Sequence, residues 1–172
     1  MPDRPCIGVS ACLLGERVRY DGRDKRDAWL VDVLGPQVDW VPVCPEVEAG
    51  LGTPREPMNL GRGASGQIVL MTDRVRDDLT ATMMGFSQRR VDELAEANLD
   101  GYVLKAGSPS CGLDVPVQGD GARGRGVFAA ALTTALPNLP VADERELVEP
   151  SSRSQFVERV FAHHRRRTRT QR

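Results

Sequence analysis

Short apolar runs that alternate with helical patterns constrain the fold of this chain more than any other feature. Three runs read CIGVS at 6–10, VDWVPV at 38–43 and GYVLK at 101–105, and shorter ones lie at 67–71 and 139–141. Helical spacing of apolar residues lies between them, at 24–34, 74–98, 127–136 and 154–164. Strands that alternate with helices indicate an α/β protein. We expect a three-layer, Rossmann-like arrangement, with a mostly parallel central sheet and helices on both faces.

The length and composition favour one globular domain, which we place at 1–164. The chain has 172 residues, 40% of them hydrophobic and 27% charged, close to the average of soluble domains. No stretch approaches the roughly 18 apolar residues of a membrane span. The apolar part of the N-terminus is short and runs into Glu16 and Arg17, unlike a signal peptide. We therefore expect a cytoplasmic protein without a membrane partner.

The end of the chain is strongly basic. The last ten residues hold five arginines and no acid, whereas the chain before them is mildly acidic. We interpret residues 165–172 as a basic, flexible tail, with a contact to nucleic acid as the alternative. The acidic body and the 5% content of aromatic residues make nucleic acid an unlikely partner, because few side chains could stack on bases.

The chain has four cysteines, Cys6, Cys12, Cys44 and Cys111, and no CxxC pair. A zinc ribbon is disfavoured, because its knuckles need close ligand pairs. Cys6 lies inside the first strand and is predicted to be a small core residue. The other three each follow a predicted strand. Since parallel strands share one carboxyl edge, where α/β proteins bind ligands, these three cysteines are expected to meet there.

Three thiolates at one edge predict a metal site with an open position. Thiolates are soft ligands that select zinc, copper(I) or iron–sulfur clusters, and three of them leave one coordination position for a substrate. Glu46 and Ser108 lie close in sequence to Cys44 and Cys111 and are candidates for proton transfer.

Three cations near the same loops are candidates for binding an anionic substrate. They are Arg19, Arg55 and Lys105.

Three segments carry a resemblance to a known family. ACLLGERVRYDG at 11–22, CPEVEAGLGTPREP at 44–57 and LKAGSPSCG at 104–112 resemble the signature segments of the thiouracil-desulfurase family, in the same order, and GDGARGRGVFAAAL at 119–132 is similar to its later part. The resemblance implies a [4Fe-4S] cluster held by Cys12, Cys44 and Cys111, with Glu46 as the catalytic glutamate and Ser108 as an active-site serine. It also implies conversion of a thiolated uracil to its oxygen analogue without net redox change.

The expected function is therefore the desulfuration of 4-thiouracil or its nucleotide to uracil and hydrosulfide, with the open iron as a Lewis acid. Two alternatives stay open. One is a zinc-dependent hydrolase or deaminase with three cysteine ligands and Glu46 as general base, although the H-x-E and P-C-x-x-C signature of zinc deaminases is absent. The other is an RNA-binding or redox-sensing iron–sulfur module.

Overall fold

The computed structural model describes residues 3–170, and a four-stranded parallel sheet forms its centre. The strands, numbered in chain order, are β1 (Cys6–Ser10), β2 (Asp39–Val43), β5 (Gly101–Leu104) and β8 (Val141–Asp143), and they lie in the order β2-β1-β5-β8. Each neighbouring pair is parallel. The α/β class and the parallel central sheet expected from the sequence are confirmed.

Helices cover both faces of this sheet, so the three-layer arrangement is also confirmed. They are α1 (Pro45–Glu48), α2 (Thr80–Glu96), α3 (Val127–Ala135) and α4 (Pro150–Thr170), together with a π-helical turn at Trp29–Leu34. Tyr102 and Leu104 pack with α2 and α3 on one face. Val103, between them in β5, packs with the π-helical turn and α4 on the other face. This alternation is the two-residue period of a strand buried on both sides.

Gly8 shows why the middle of β1 has no side chain. Gly8 pairs with Tyr102 on the neighbouring strand, and a Cβ atom at Gly8 would overlap the Tyr102 ring. The ring of Tyr102 therefore fills the space above Gly8 and packs against Phe128 of α3, with 5.8 Å between the ring centroids.

An antiparallel hairpin lies outside the central sheet. Its strands are β3 (Met58–Arg62) and β4 (Ile68–Thr72). The apolar run at 67–71 therefore forms a strand as expected, and Leu70 in it faces Leu60 of β3, with both side chains buried in the core. A second short antiparallel pair, β6 (Val115–Pro116) and β7 (Arg123–Gly124), follows Cys111.

The basic end of the chain is helical where the sequence predicted a flexible tail from residue 165. Helix α4 continues to Thr170, because Arg167 reaches the buried carboxylate of Asp100 and holds the last turns against the sheet. Residues 171 and 172 of that predicted tail lie outside the described residues. Helix α2 begins at Thr80, later than the predicted 74, and leaves Val75 68% exposed in the preceding loop. Across residues 3–170, no helix combines the length and apolar character that a membrane span requires.

Candidate functional site

Three cysteines that are far apart in sequence line one cavity at the carboxyl edge of the sheet. Cys12 lies in a 3-10 turn directly after β1, Cys44 directly follows β2, and Cys111 lies in the loop after β5. The cavity has a volume of about 300 Å³. The sequence expectation placed these three residues together, and the structure brings them together. Cys6 begins β1, is half-buried against the core, and does not line the cavity.

All three thiols are free; Cys12 and Cys111 are buried and Cys44 is half-buried. Burial raises the pKa of the Cys12 thiol to about 11. Burial, followed by the negative charge of Glu46, raises the pKa of Cys44 to about 12 and that of Cys111 well above its usual value. At neutral pH these thiols are therefore protonated when no metal is bound. Metal binding must displace their protons, as it does at other thiolate sites.

Ser10 is a site residue that the sequence analysis missed. Its side chain is 2% exposed, and its hydroxyl oxygen accepts a hydrogen bond from the backbone N–H of Lys105 at 2.9 Å. A hydrogen bond from the same hydroxyl to the Cys111 sulfur partly offsets the rise in the Cys111 pKa caused by burial. Ser10 therefore links β1, β5 and a cysteine of the site. The available sequence signal was its place at the end of the first strand, directly before the loop of Cys12.

Glu46 is the carboxylate nearest to the thiols. It is 8% exposed, and its Oε2 lies 3.7 Å from the sulfur of Cys44. The guanidinium of Arg55 lies on its other side, with 4.0 Å between Nη2 and Oε2. A buried carboxylate beside both a cation and the cavity can hold or release a proton there.

Arg55 and Lys105 are both engaged within the protein. The Nη1 of Arg55 donates to the carbonyl oxygens of Val18 at 2.8 Å and Gly52 at 2.9 Å. The ammonium of Lys105 lies 2.5 Å from Glu144 and 2.7 Å from the carbonyl oxygen of its neighbour Ala106. Both cations line the cavity. The Lys105 ammonium has two partners within the protein, whereas the Nε of Arg55 is buried without a hydrogen-bond partner among the described residues.

Arg19 differs from the other two candidate cations. It lines the cavity, and within residues 3–170 its side chain makes neither a hydrogen bond nor an ion pair. Its guanidinium carbon lies 5.7 Å from the centroid of the Tyr20 ring. Of the three cations, Arg19 therefore has the charge most available to a bound anion.

Ser108 orders the loop that carries Cys111. Its Oγ accepts hydrogen bonds from the backbone N–H groups of Ser110 at 3.2 Å and Cys111 at 3.0 Å. A hydroxyl that accepts two hydrogen bonds still has its own proton to donate. Ser108 lines the cavity, so that proton is available to a ligand.

Two further glutamates support the site and were not found from the sequence. Glu48 accepts a hydrogen bond from the backbone N–H of Cys44 at 3.0 Å, and its other oxygen lies 3.2 Å from Arg90 of α2. Glu144 accepts from the backbone N–H of Ala106 at 2.6 Å while it pairs with Lys105. Each carboxylate fixes the backbone of a loop that lines the cavity. Glu144 has no local signal because its partners come from another element, whereas Glu48 reaches back four residues to the N-cap of its own short helix.

The donor set suits a cluster better than a single ion. Among the described residues, no three His, Cys, Asp or Glu side chains converge closely enough to hold one metal ion. A multi-iron cluster makes a different demand, since each thiolate binds a different iron and the sulfurs stay apart. Three free thiols around one cavity, two of them buried and one half-buried, meet that demand.

Comparison with known proteins gives one family and two relatives. The model of the 2-thiouracil desulfurase family matches residues 7–144. The uncharacterized protein YbbK of Bacillus subtilis (strain 168) is 31% identical over 137 residues, which cover 75% of this chain and 90% of YbbK. A solved structure described as the [4Fe-4S]-dependent thiouracil desulfidase TudS is 33% identical, with a TM-score of 0.68. The similarity covers 86% of this chain and 96% of that one.

Proposed function

The chain belongs to the 2-thiouracil desulfurase family, and on that premise we propose that it removes sulfur from a thiolated uracil with a [4Fe-4S] cluster held by Cys12, Cys44 and Cys111. The observation that carries the proposal is the single cavity lined by these three free thiols and by the buried carboxylate of Glu46. The family resemblance of the three sequence segments is confirmed by the family model and by the structural similarity to TudS.

The residues around the cavity fit this cluster. Thiolates are the ligands that iron–sulfur clusters prefer, and the fourth cysteine, Cys6, lies outside the cavity. When three thiolates hold such a cluster, one iron lacks a protein ligand and supplies a Lewis acid for a substrate sulfur.

Glu46 is the residue that moves the proton of the attacking water. Its carboxylate lies beside Cys44 and is shielded from solvent, so it can accept a proton from a water that approaches the ring carbon. Arg55 lies on the other side of the carboxylate and helps to keep it in place.

Ser108 and Arg19 orient the substrate. Ser108 donates its hydroxyl proton to the ring or to the departing sulfur. Arg19 provides a cation for the phosphate when the substrate is a nucleotide, whereas Arg55 and Lys105 contribute mainly by holding Glu46 and the loops. Water oxygen replaces sulfur on the ring carbon and sulfur leaves as hydrosulfide. The reaction therefore needs no electron donor.

Anaerobic purification followed by metal analysis and turnover tests the proposal. We expect about four irons and four sulfides per chain, a broad absorption band in the visible range, and conversion of 4-thiouracil to uracil. Glu46→Gln should keep the iron and lose roughly 100-fold or more in kcat, the range expected for a missing acid–base group. Glu158→Gln, an exposed position on α4, is the matched control and should behave like the wild type.

The other outcomes separate the alternatives. Full turnover by an iron-loaded Glu46→Gln enzyme would remove the proton-transfer role of Glu46. A colourless protein that holds stoichiometric zinc, even after anaerobic supply of iron and sulfide, would favour the hydrolase or deaminase. An iron-loaded protein without turnover of thiouracil or its nucleotide would favour the sensing or RNA-binding module.

A further inference from the structure

The rim of the cavity carries one exposed aromatic side chain, and the roles proposed above leave it unused. Tyr20 is 41% exposed and lines the cavity that holds the three cysteines. Among the described residues, every other aromatic side chain is buried or half-buried. Tyr20 therefore presents an exposed aromatic ring beside the cavity, against which a flat ligand can pack.

The loop that presents Tyr20 is fixed to the site. The backbone N–H of Arg55 donates to the carbonyl oxygen of Tyr20 at 2.9 Å, and the Arg55 side chain donates to Val18 at 2.8 Å. A turn closes the other side, with the N–H of Gly22 donating to the carbonyl oxygen of Arg19 at 2.9 Å. Gly22 adopts a φ of 74°, which favours glycine at this position. Tyr20 is thus held in place before a ligand arrives, so little loop entropy is lost on binding.

We propose that Tyr20 is the stacking platform for the substrate ring. A pyrimidine is flat and offers two π-faces, and an aromatic side chain at the mouth of a pocket is the group that stacks on it. Arg19 lies against the same ring and helps to fix it. Tyr20 therefore selects flat, aromatic rings and holds them over the cysteines, a role that rests on the proposed desulfuration.

Stacking makes a testable distinction between two ligands with the same polar groups. Uracil is flat and aromatic, whereas 5,6-dihydrouracil keeps the same carbonyl and N–H groups on a puckered ring. The experiment measures the dissociation constants of both for the iron-loaded enzyme by calorimetry, together with KM and kcat for 4-thiouracil. The variants are Tyr20→Leu and Tyr20→Phe. Val33→Ala, an exposed apolar position in the π-helical turn that does not line the cavity, is the control.

We expect Tyr20→Leu to weaken uracil binding and to raise KM about 5- to 100-fold, as loss of one stacking partner does. The ratio of the dissociation constants for dihydrouracil and uracil should fall in the same variant. Tyr20→Phe should have the uracil affinity and the preference for uracil of the wild type. Iron content and thermal stability should match those of Val33→Ala.

Unchanged uracil binding and an unchanged preference in Tyr20→Leu would overturn the stacking role while the proposed function stands. Wild-type enzyme that neither turns over thiouracil nor binds uracil would overturn both together.

Discussion

Polar groups have different surroundings at the two edges of the central sheet. At the amino edge, Asp100 is fully buried and its carboxylate accepts hydrogen bonds from every side. The donors are the backbone N–H of Cys6 at 3.0 Å, Arg167 twice at 3.0 Å, and the Nδ1 atoms of His164 at 2.8 Å and His163 at 3.3 Å. The protein itself therefore supplies the hydrogen-bond donors that the Asp100 carboxylate needs at this edge.

At the carboxyl edge the polar groups surround a cavity instead. The three thiols have no disulfide partners, and the Nε of Arg55, which lines the cavity, is buried without a hydrogen-bond partner in the described structure. The comparison shows that one edge contributes stability and the other keeps its binding capacity for a ligand. Such a division is expected where binding sites are the least self-sufficient parts of a fold.

Replacing the cysteines should give the largest difference between the two edges, measured as bound iron and turnover. Cys12→Ser, Cys44→Ser and Cys111→Ser are each expected to lose bound iron and turnover, because a hydroxyl is a poor ligand for this cluster. Cys6→Ser should keep both iron and turnover, because Cys6 does not line the cavity. Its hydrogen bond to Asp100 comes from the backbone N–H, which serine retains. Iron, sulfide and activity are measured on the anaerobically purified proteins. Loss of iron from Cys6→Ser would contradict the division of the cysteines.

Removing the acid at the amino edge should affect stability instead of chemistry. Asp100→Ala leaves Arg167 and two histidines without their shared partner, and we expect a loss of about 3–5 kcal/mol in the free energy of unfolding. Urea denaturation of the metal-free protein measures it, with Asp143→Ala at an incompletely buried position as a comparison. The fraction that stays folded should bind iron normally. A loss below about 1 kcal/mol would mean that the cluster around Asp100 contributes little.

Lowering the pH should reduce the contribution of Asp100 to the free energy of unfolding. Burial alone would raise the pKa of Asp100, but the hydrogen bonds from Arg167, Cys6, His164 and His163 outweigh it and hold that pKa below its usual value. The stabilisation is therefore complete above about pH 4, the usual aspartate value, and is lost as the pH falls through the lower pKa of the folded state.

Unfolding curves of wild type and Asp100→Ala between neutral and strongly acidic pH measure this loss. The stability difference between the two proteins should shrink as the pH falls. A constant difference would show that Asp100 does not titrate with folding.

The sequence predicted the site more completely than the ends of its helices. Cys12, Cys44 and Cys111 could be placed together because each follows a strand, and parallel strands bring those positions to one edge. Ser10 and Glu144 could not be found in this way. Their roles depend on hydrogen bonds to Lys105 and Ala106, which lie far away in sequence.

The predicted end of α4 at residue 164 was wrong for the same reason. Nothing in the run of arginines after His164 indicates a partner, because that partner is Asp100, 67 positions earlier in the chain. The strand at 67–71 was predicted, but its partner β3 was missed because the glycine and polar residues around Leu60 hide its strand pattern. Local patterns therefore predicted the elements, and contacts across the chain decided where they end.

The order of strands in the sheet also sets when the site comes into being during protein synthesis. β1 lies between β2 and β5, and Asp100, which directly precedes β5, is 94 positions later in the chain than Cys6, with which it is hydrogen-bonded. A nascent chain that has emerged only as far as α1 can present two of the three cysteines. The ribosome must release the stretch that contains Cys111 before a cluster can be inserted, so cofactor loading is a late event for every molecule made.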